Sequence, residues 1–267
     1  MKKTKGLLYL GLYCAGVIML LSCAQPTTAP KSMEDRPLVT TDSLPLFDLK
    51  YIMGQFDPAA HPDFVKIERP YASGEGMYMR GDAFDAFKLM HEAAQKDGVA
   101  LQIVSAARNF DRQTQIWNNK WTGRTLVEGG VNLAREVKDP VERAKRILRF
   151  SSMPGTSRHH WGTDIDLNAL EDDWFLQGEG KRVYEWLSNN AGNFGYCQTY
   201  TVKNDERPNG YEEEKWHWTY SPVSKVVLQS AKLLLSNQNL TGFEGSEVAS
   251  EIGILENYVL GINPSCK

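Results

Sequence analysis

The chain has 267 residues, of which 42% are hydrophobic and 24% charged, and its 30 basic and 33 acidic side chains give a formal net charge of −3. An acidic balance argues against nucleic acid or an anionic membrane surface as a partner, since both demand basic patches. The length suffices for one sizeable core, and no internal repeat or second linker divides it.

At the amino terminus Lys2, Lys3 and Lys5 form a basic segment, residues 6–21 are almost wholly apolar, and Leu20, Leu21, Ser22 and Cys23 have the form of a bacterial lipoprotein box. The expectation is a signal peptide over 1–22, then an acylated Cys23 opening a polar, proline-bearing tether to residue 45, then one globular domain over 46–267. An apolar run of about 16 residues is short for a spanning helix, which needs roughly 20. An uncleaved anchor or an ordinary secretory signal would export the domain equally. The expected location is the cell envelope, with the domain held to the membrane by the lipid on Cys23 and facing the periplasm or exterior. Loss of the three lysines leaves 27 basic against 33 acidic residues, net −6. Cys14 departs with the signal, so Cys197 and Cys266 remain in the folded part, either bridged or as two buried thiols.

Asp82 is placed to cap a helix reaching about Gln95, with Phe84, Phe87, His91 and Ala94 on one stripe. Gly98 ends that unit before an apolar strand over 101–105. Residues 111–121, with Ile116 and Trp117 apolar, and the segments 141–150 and 182–190 are further helix candidates. Ser246 is placed to cap a last helix carrying Val248, Ile252, Leu255 and Val259. Helices gathered between few, widely spaced strands predict an α+β fold with a small antiparallel sheet rather than βαβ units.

Two segments carry the chemistry. Residues 163–167 alternate polar and apolar, a strand pattern that puts Asp164 and Asp166 on one face and Ile165 and Leu167 on the other. Residues 215–220 also suit a strand, with His217 directed opposite to Trp216 and Trp218. The chain has five histidines, and two of them fall beside these strands. Zinc at a hydrolytic centre needs three ligands from the His, Asp and Glu set and a nearby carboxylate to take a proton from water. His159, Asp166 and His217 supply the ligands and Glu214 the base, although such a set also accepts cobalt or other divalent ions. Asp164 shares a face with Asp166, which leaves it either hydrogen-bonding a ligand histidine or competing as a ligand. His160 and His91 read as packing or hydrogen-bonding histidines. Among the tryptophans, Trp161, Trp216 and Trp218 wall the cleft or pack behind it, and Trp117, Trp121, Trp174 and Trp186 belong to core or rim.

The spacing of Ser157, His159, Gly162 and Asp166, then of Glu214, Trp216 and His217, resembles the zinc D-alanyl-D-alanine carboxypeptidases of the VanY type. Ser105, Arg108 and Gln113 agree with a third segment of that family, and the resemblance spans roughly residues 46–262. It implies a Hedgehog/D,D-peptidase-like α+β fold with one zinc ion per chain on His159, Asp166 and His217, and Glu214 as general acid/base. It further implies that Arg108 polarises the scissile carbonyl and that Ser157 and Gln113 contact substrate. Asp164 departs from the family, where a small residue is common at that position.

The implied activity is removal of the terminal D-alanine from peptidoglycan stem peptides. L,D-carboxypeptidase or endopeptidase action on the same polymer is the alternative within enzymes, and a non-catalytic peptidoglycan-binding lipoprotein the alternative outside them. A binding module has no need of Glu214 beside the metal. Stereochemical preference rests with the loops 123–132 and 204–210, whose shape the sequence does not dictate.

Overall fold

The computed structural model describes residues 46–267; the expected signal peptide, the lipid-bearing Cys23 and the tether lie outside the described residues. The fold is α+β, as expected. A hairpin pairs β1 (Phe64–Lys66) with β2 (Tyr78–Arg80). The main sheet is antiparallel in the order β3 (Ile103–Ser105), β4 (Asp164–Leu167), β6 (His217–Tyr220), β5 (Tyr196–Gln198). Around the sheets lie α1 (Leu49–Ile52), α2 (Gly81–Lys96), α3 (Phe110–Trp121), α4 (Leu133–Glu136), α5 (Pro140–Ile147), α6 (Gly178–Asn190), α7 (Ser221–Leu234) and α8 (Ala249–Ile252).

The two central strands set the plan of the molecule. Asp164 lies opposite Thr219, Ile165 opposite Trp218 and Asp166 opposite His217. Strand alternation sends Ile165, Leu167 and Trp218 to one face, where they pack with Phe84, Phe87 and Met90 of α2 and Val183 and Leu187 of α6. Asp164, Asp166, His217 and Thr219 occupy the other face. A second core gathers α1, α3, α5, α7 and the carboxy-terminal segment around Ile52, Trp117, Ile147, Leu228 and Ile262. The polar row is thus backed by one core and flanked by another, which leaves its side chains 4% exposed or less.

Local details differ from the sequence expectations. Arg80, not Asp82, occupies the cap position of α2, while Asp82 sits in the first turn and pairs with Arg80 at 2.9 Å. The strand expected over 101–105 shrinks to Ile103–Ser105, and α3 starts at Phe110 because Asn109 accepts a hydrogen bond from the Arg112 amide. The expected last helix is broken: Ser246–Val248 is a 3-10 turn, α8 ends at Ile252, and Gly253 at φ 65° turns the chain into a π-helical Leu255–Val259. Helix α7, the hairpin and β5 had no counterpart in the sequence reading. Cys197 on β5 and Cys266 are joined in a disulfide, with Cα atoms 5.8 Å apart, which decides between the two readings of that pair.

Candidate active site

His159 is presented by a 3-10 turn, Arg158–Trp161, that ends at Gly162. Glycine is required there: φ is +71°, and a Cβ would come within 2.4 Å of the Phe64 ring. The turn delivers His159 next to β4, where its Nδ1 meets the Ala106 carbonyl at 2.8 Å. A carbonyl only accepts, so Nδ1 carries the proton and Nε2 is left as a lone-pair donor 3.4 Å from Asp166 Oδ2. His217 opens β6, and its Nε2 lies 2.9 Å from Asp164 Oδ2. Its Nδ1 faces Asp166 Oδ1 and Glu214 Oε2, both at 3.2 Å. Glu214 reaches this position because a turn brings its carbonyl to the His217 amide at 3.2 Å and its own amide to the Tyr200 carbonyl at 3.0 Å.

His159, Asp166, His217 and Glu214 are buried, between 2% and 5% exposed. Burial opposes a charged ring at His217, but Asp164, Asp166 and Glu214 outweigh it and raise its pKa well above the usual histidine value. Burial likewise works against charge on Asp166, yet His159 and His217 hold it well below the carboxylate range. Glu214 moves the other way: burial, with Asp166 beside it, raises its pKa. The pocket therefore calls for positive charge between the rings and the carboxylates. Asp166 Oδ1 is buried without a hydrogen-bond partner, and donor atoms of His159, Asp166 and His217 lie within 4.8 Å of one another. Two imidazole nitrogens and a carboxylate around an unsatisfied oxygen suit zinc, so the residues present fit the expected metal.

Asp164 does not join that donor set. It is saturated instead: Arg158 Nε at 2.9 Å and His217 on Oδ2, Thr219 and Thr163 hydroxyls at 2.6 and 2.8 Å on Oδ1. Of its two sequence readings, the structure takes the one in which it bonds a ligand histidine. His160 is buried, with Nδ1 2.6 Å from the Arg108 carbonyl and Nε2 accepting from the Gly155 amide at 3.1 Å. Burial lowers its pKa to about 3. Its hydrogen-bonding role was expected, and the 3-10 turn directs it away from the metal donors.

The site opens into a cleft of about 760 Å³, a volume suited to a small ligand or peptide end. Arg108 lines it, its Nη1 2.9 Å from Ser105 Oγ and 3.9 Å from Asp166 Oδ2. Burial pulls its pKa down against the opposing pull of Asp166 and Glu214. Gln113 also lines the cleft; its Nε2 donates to the Ser152 carbonyl at 2.8 Å and its buried Oε1 has no partner. Ser157 is 0% exposed and is not among the cleft-lining residues, and its buried Oγ has no partner among the described residues. The reason is local: Ser157 caps the 3-10 turn and points its backbone, not its hydroxyl, to a use.

Trp216 walls the cleft while Trp161 and Trp218 pack behind it. Of the two loops expected at the rim, 123–132 contributes Glu128 and Gly129, whereas 204–210 contributes none and Tyr211 just beyond it does. Sequence reasoning missed Arg158, Tyr200 and Lys120. Lys120 carried a signal: Gln113, Ile116 and Lys120 stand at i, i+3 and i+7 of one helix.

The family described as VanY, D-alanyl-D-alanine carboxypeptidase, matches residues 76–223, more than half of the chain. The protein YodJ of Bacillus subtilis (strain 168) is 32% identical over 166 residues, 60% of this chain and 50% of its own. A D-alanyl-D-alanine carboxypeptidase of Enterococcus faecalis (strain ATCC 700802 / V583) is 29% identical over 138 residues, 52% of this chain and 46% of its own. The chain thus spans about half the length of these curated relatives. The solved structure of the LdcB LD-carboxypeptidase aligns with 28% identity and a TM-score of 0.44, covering 65% of this chain and 75% of that one. The chain belongs to the VanY family of D-alanyl-D-alanine carboxypeptidases.

Proposed function

We propose that the protein is a zinc-dependent peptidase of the cell envelope that removes the terminal D-alanine from peptidoglycan stem peptides, held to the membrane by lipid on Cys23. One observation carries the reading: the donor atoms of His159, Asp166 and His217 converge with the Glu214 carboxylate 3.2 Å from His217 Nδ1, at the floor of a cleft. His159, Asp166 and His217 would hold the ion. When bound, zinc supplies Lewis acidity toward a carbonyl and toward water. Glu214, with its raised pKa, accepts a proton from the attacking water and returns it to the leaving amine. Arg108 stays charged and lies where negative charge develops on the carbonyl oxygen. The unpartnered Gln113 Oε1 is an acceptor available to a peptide N–H.

The test is D-alanine release from a muramyl pentapeptide by the zinc-loaded protein, beside Glu214→Ala and a chelated sample. Release that vanishes in both controls supports the reading. No release from folded, zinc-loaded protein overturns it and turns attention to tetrapeptide or cross-linked substrates, then to binding alone.

A further inference from the structure

Lys120 ends the α3 stripe that begins at Gln113, so its Cα stands about 10 Å farther along the cleft wall at 1.5 Å per residue. An ammonium group has three N–H donors. One is taken by Ser151 Oγ, and among the described residues no carboxylate lies within the 4.0 Å that defines an ion pair. Of the acids that line the cleft, Glu128 pairs with Arg149, Asp172 with Lys215 at 3.8 Å, and Glu214 with His217 at 3.2 Å, while Glu171 and Asp173 line it without an ion pair of their own among the described residues. Arg108, the other cation of this wall, lies 3.9 Å from Asp166. Burial, and then repulsion by Arg108, push the Lys120 pKa down. Ser151 Oγ accepts the lysine's hydrogen bond, so its own proton is free to donate beside the ammonium.

A part-buried cation lining the same cleft as Arg108, with two donors and a hydroxyl proton unused, is a receptor for an anion. We propose that Lys120, with Ser151 beside it, anchors a carboxylate of the bound peptide on the α3 wall of the cleft. This rests on the peptidase reading of the site and gives that reading its requirement on the substrate: a free carboxylate at a set distance from the cleaved bond. Two carboxylates of a stem peptide have this chemistry, the one at the carboxy terminus and the one carried by an acidic residue nearer the sugar. In the first case the enzyme is confined to chain ends; in the second it recognises the stem.

The test measures peptide binding by calorimetry to zinc-loaded, full-length Glu214→Gln protein, which keeps ligand intact, with Lys120, Lys120→Gln or Lys120→Arg in the same background. The ligands are a stem pentapeptide with both carboxylates free, its carboxy-terminal amide, and the amide of its internal acidic residue. A charged hydrogen bond predicts that one amidation weakens binding roughly tenfold to a hundredfold when Lys120 is present and scarcely at all in Lys120→Gln, with partial retention in Lys120→Arg. The amide that shows the coupling identifies the carboxylate. Equal losses in Lys120 and Lys120→Gln proteins overturn the proposal, and Ser151→Ala, which leaves the lysine untouched, checks the same coupling should Lys120→Gln fail to fold. D-alanine release by the unsubstituted chain is scored separately. Release without carboxylate coupling sinks only the Lys120 anchor, coupling without release sinks only the hydrolytic reading, and absence of any peptide binding sinks both.

Discussion

Asp164 accepts the Nε2–H of His217 at 2.9 Å, and neither residue is more than 4% exposed. This bond orients the imidazole and sets Nδ1 on the side of Asp166 and Glu214, so that its lone pair would serve a metal held there. Asp164 is itself held by the Arg158 guanidinium, which lies over the Trp161 ring at 4.4 Å and donates its Nη2 to Thr219 Oγ1 at 2.9 Å. Asp164 carries a buried charge, and the arginine beside His159 balances it.

From that relationship, Asp164→Asn should keep the volume but weaken the acceptor, lowering zinc affinity by about tenfold to a hundredfold. Asp164→Ala should add a stability loss of roughly 3–5 kcal/mol, because Arg158 is then buried without a counter-charge. Zinc competition titration and urea unfolding separate the two effects. Unchanged zinc affinity in Asp164→Asn would show that the aspartate serves Arg158 alone.

Metal removal should be visible without any substrate. A ligand that binds only the folded state stabilises it by about 4 kcal/mol at a thousand times its dissociation constant. For a domain of this size that is a rise in Tm on the order of ten degrees. Zinc-loaded and chelated protein are compared by thermal unfolding, together with Asp166→Ala. The variant removes the buried Oδ1 that lacks a partner, so its Tm should not respond to zinc. A chelated protein with the Tm of the loaded one would contradict the metal assignment.

Glu214 and Arg108 should separate from the metal ligands in their effects. Glu214→Gln keeps the size of the side chain but cannot take a proton, and kcat should fall by roughly a hundredfold to ten-thousandfold with zinc content intact. Arg108→Lys loses the planar fork that reaches Ser105 Oγ at 2.9 Å and should cost about a hundredfold to a thousandfold, mainly in kcat. Steady-state kinetics beside metal analysis decides both. A change confined to KM would move Arg108 from the reacting carbonyl to substrate binding.

The meeting of His159, Asp166 and His217 was legible because metal chemistry restricts residue types and strand alternation dictates direction. Asp166 and His217 lie opposite each other in adjacent strands, and both strands show their pattern in the sequence. Arg158 was not legible, since its use depends on a tertiary meeting with Thr219 and Trp161 that no spacing encodes. Strands of three residues such as β1, β2 and β5 give too short a window for a period of two. The carboxy-terminal stripe of apolar residues reads as one helix until Gly253 adopts its left-handed conformation. The burial of Ser157 was not legible for a related reason: a family position carries a residue's place in the chain, whereas exposure of its hydroxyl depends on how the following turn packs.

The disulfide should stabilise the sheet that presents His217 without taking part in the chemistry. Cys197 lies opposite Thr219 in the β5–β6 register, and Thr219 Oγ1 is bonded to Asp164 at 2.6 Å. Its partner Cys266 is 69 residues away in sequence, so the bridge closes a long loop in the unfolded chain. Loss of such a loop typically costs about 2–4 kcal/mol. Replacing both cysteines by serine should therefore lower the unfolding free energy by that amount and the urea midpoint with it, while D-alanine release at temperatures well below Tm changes less than twofold. Because β5 is an edge strand also held by backbone bonds to β6, the cross-link acts on the unfolded ensemble more than on the position of Asp164 or His217. A large fall in turnover with the urea midpoint unchanged would mean instead that the bridge holds the site in register.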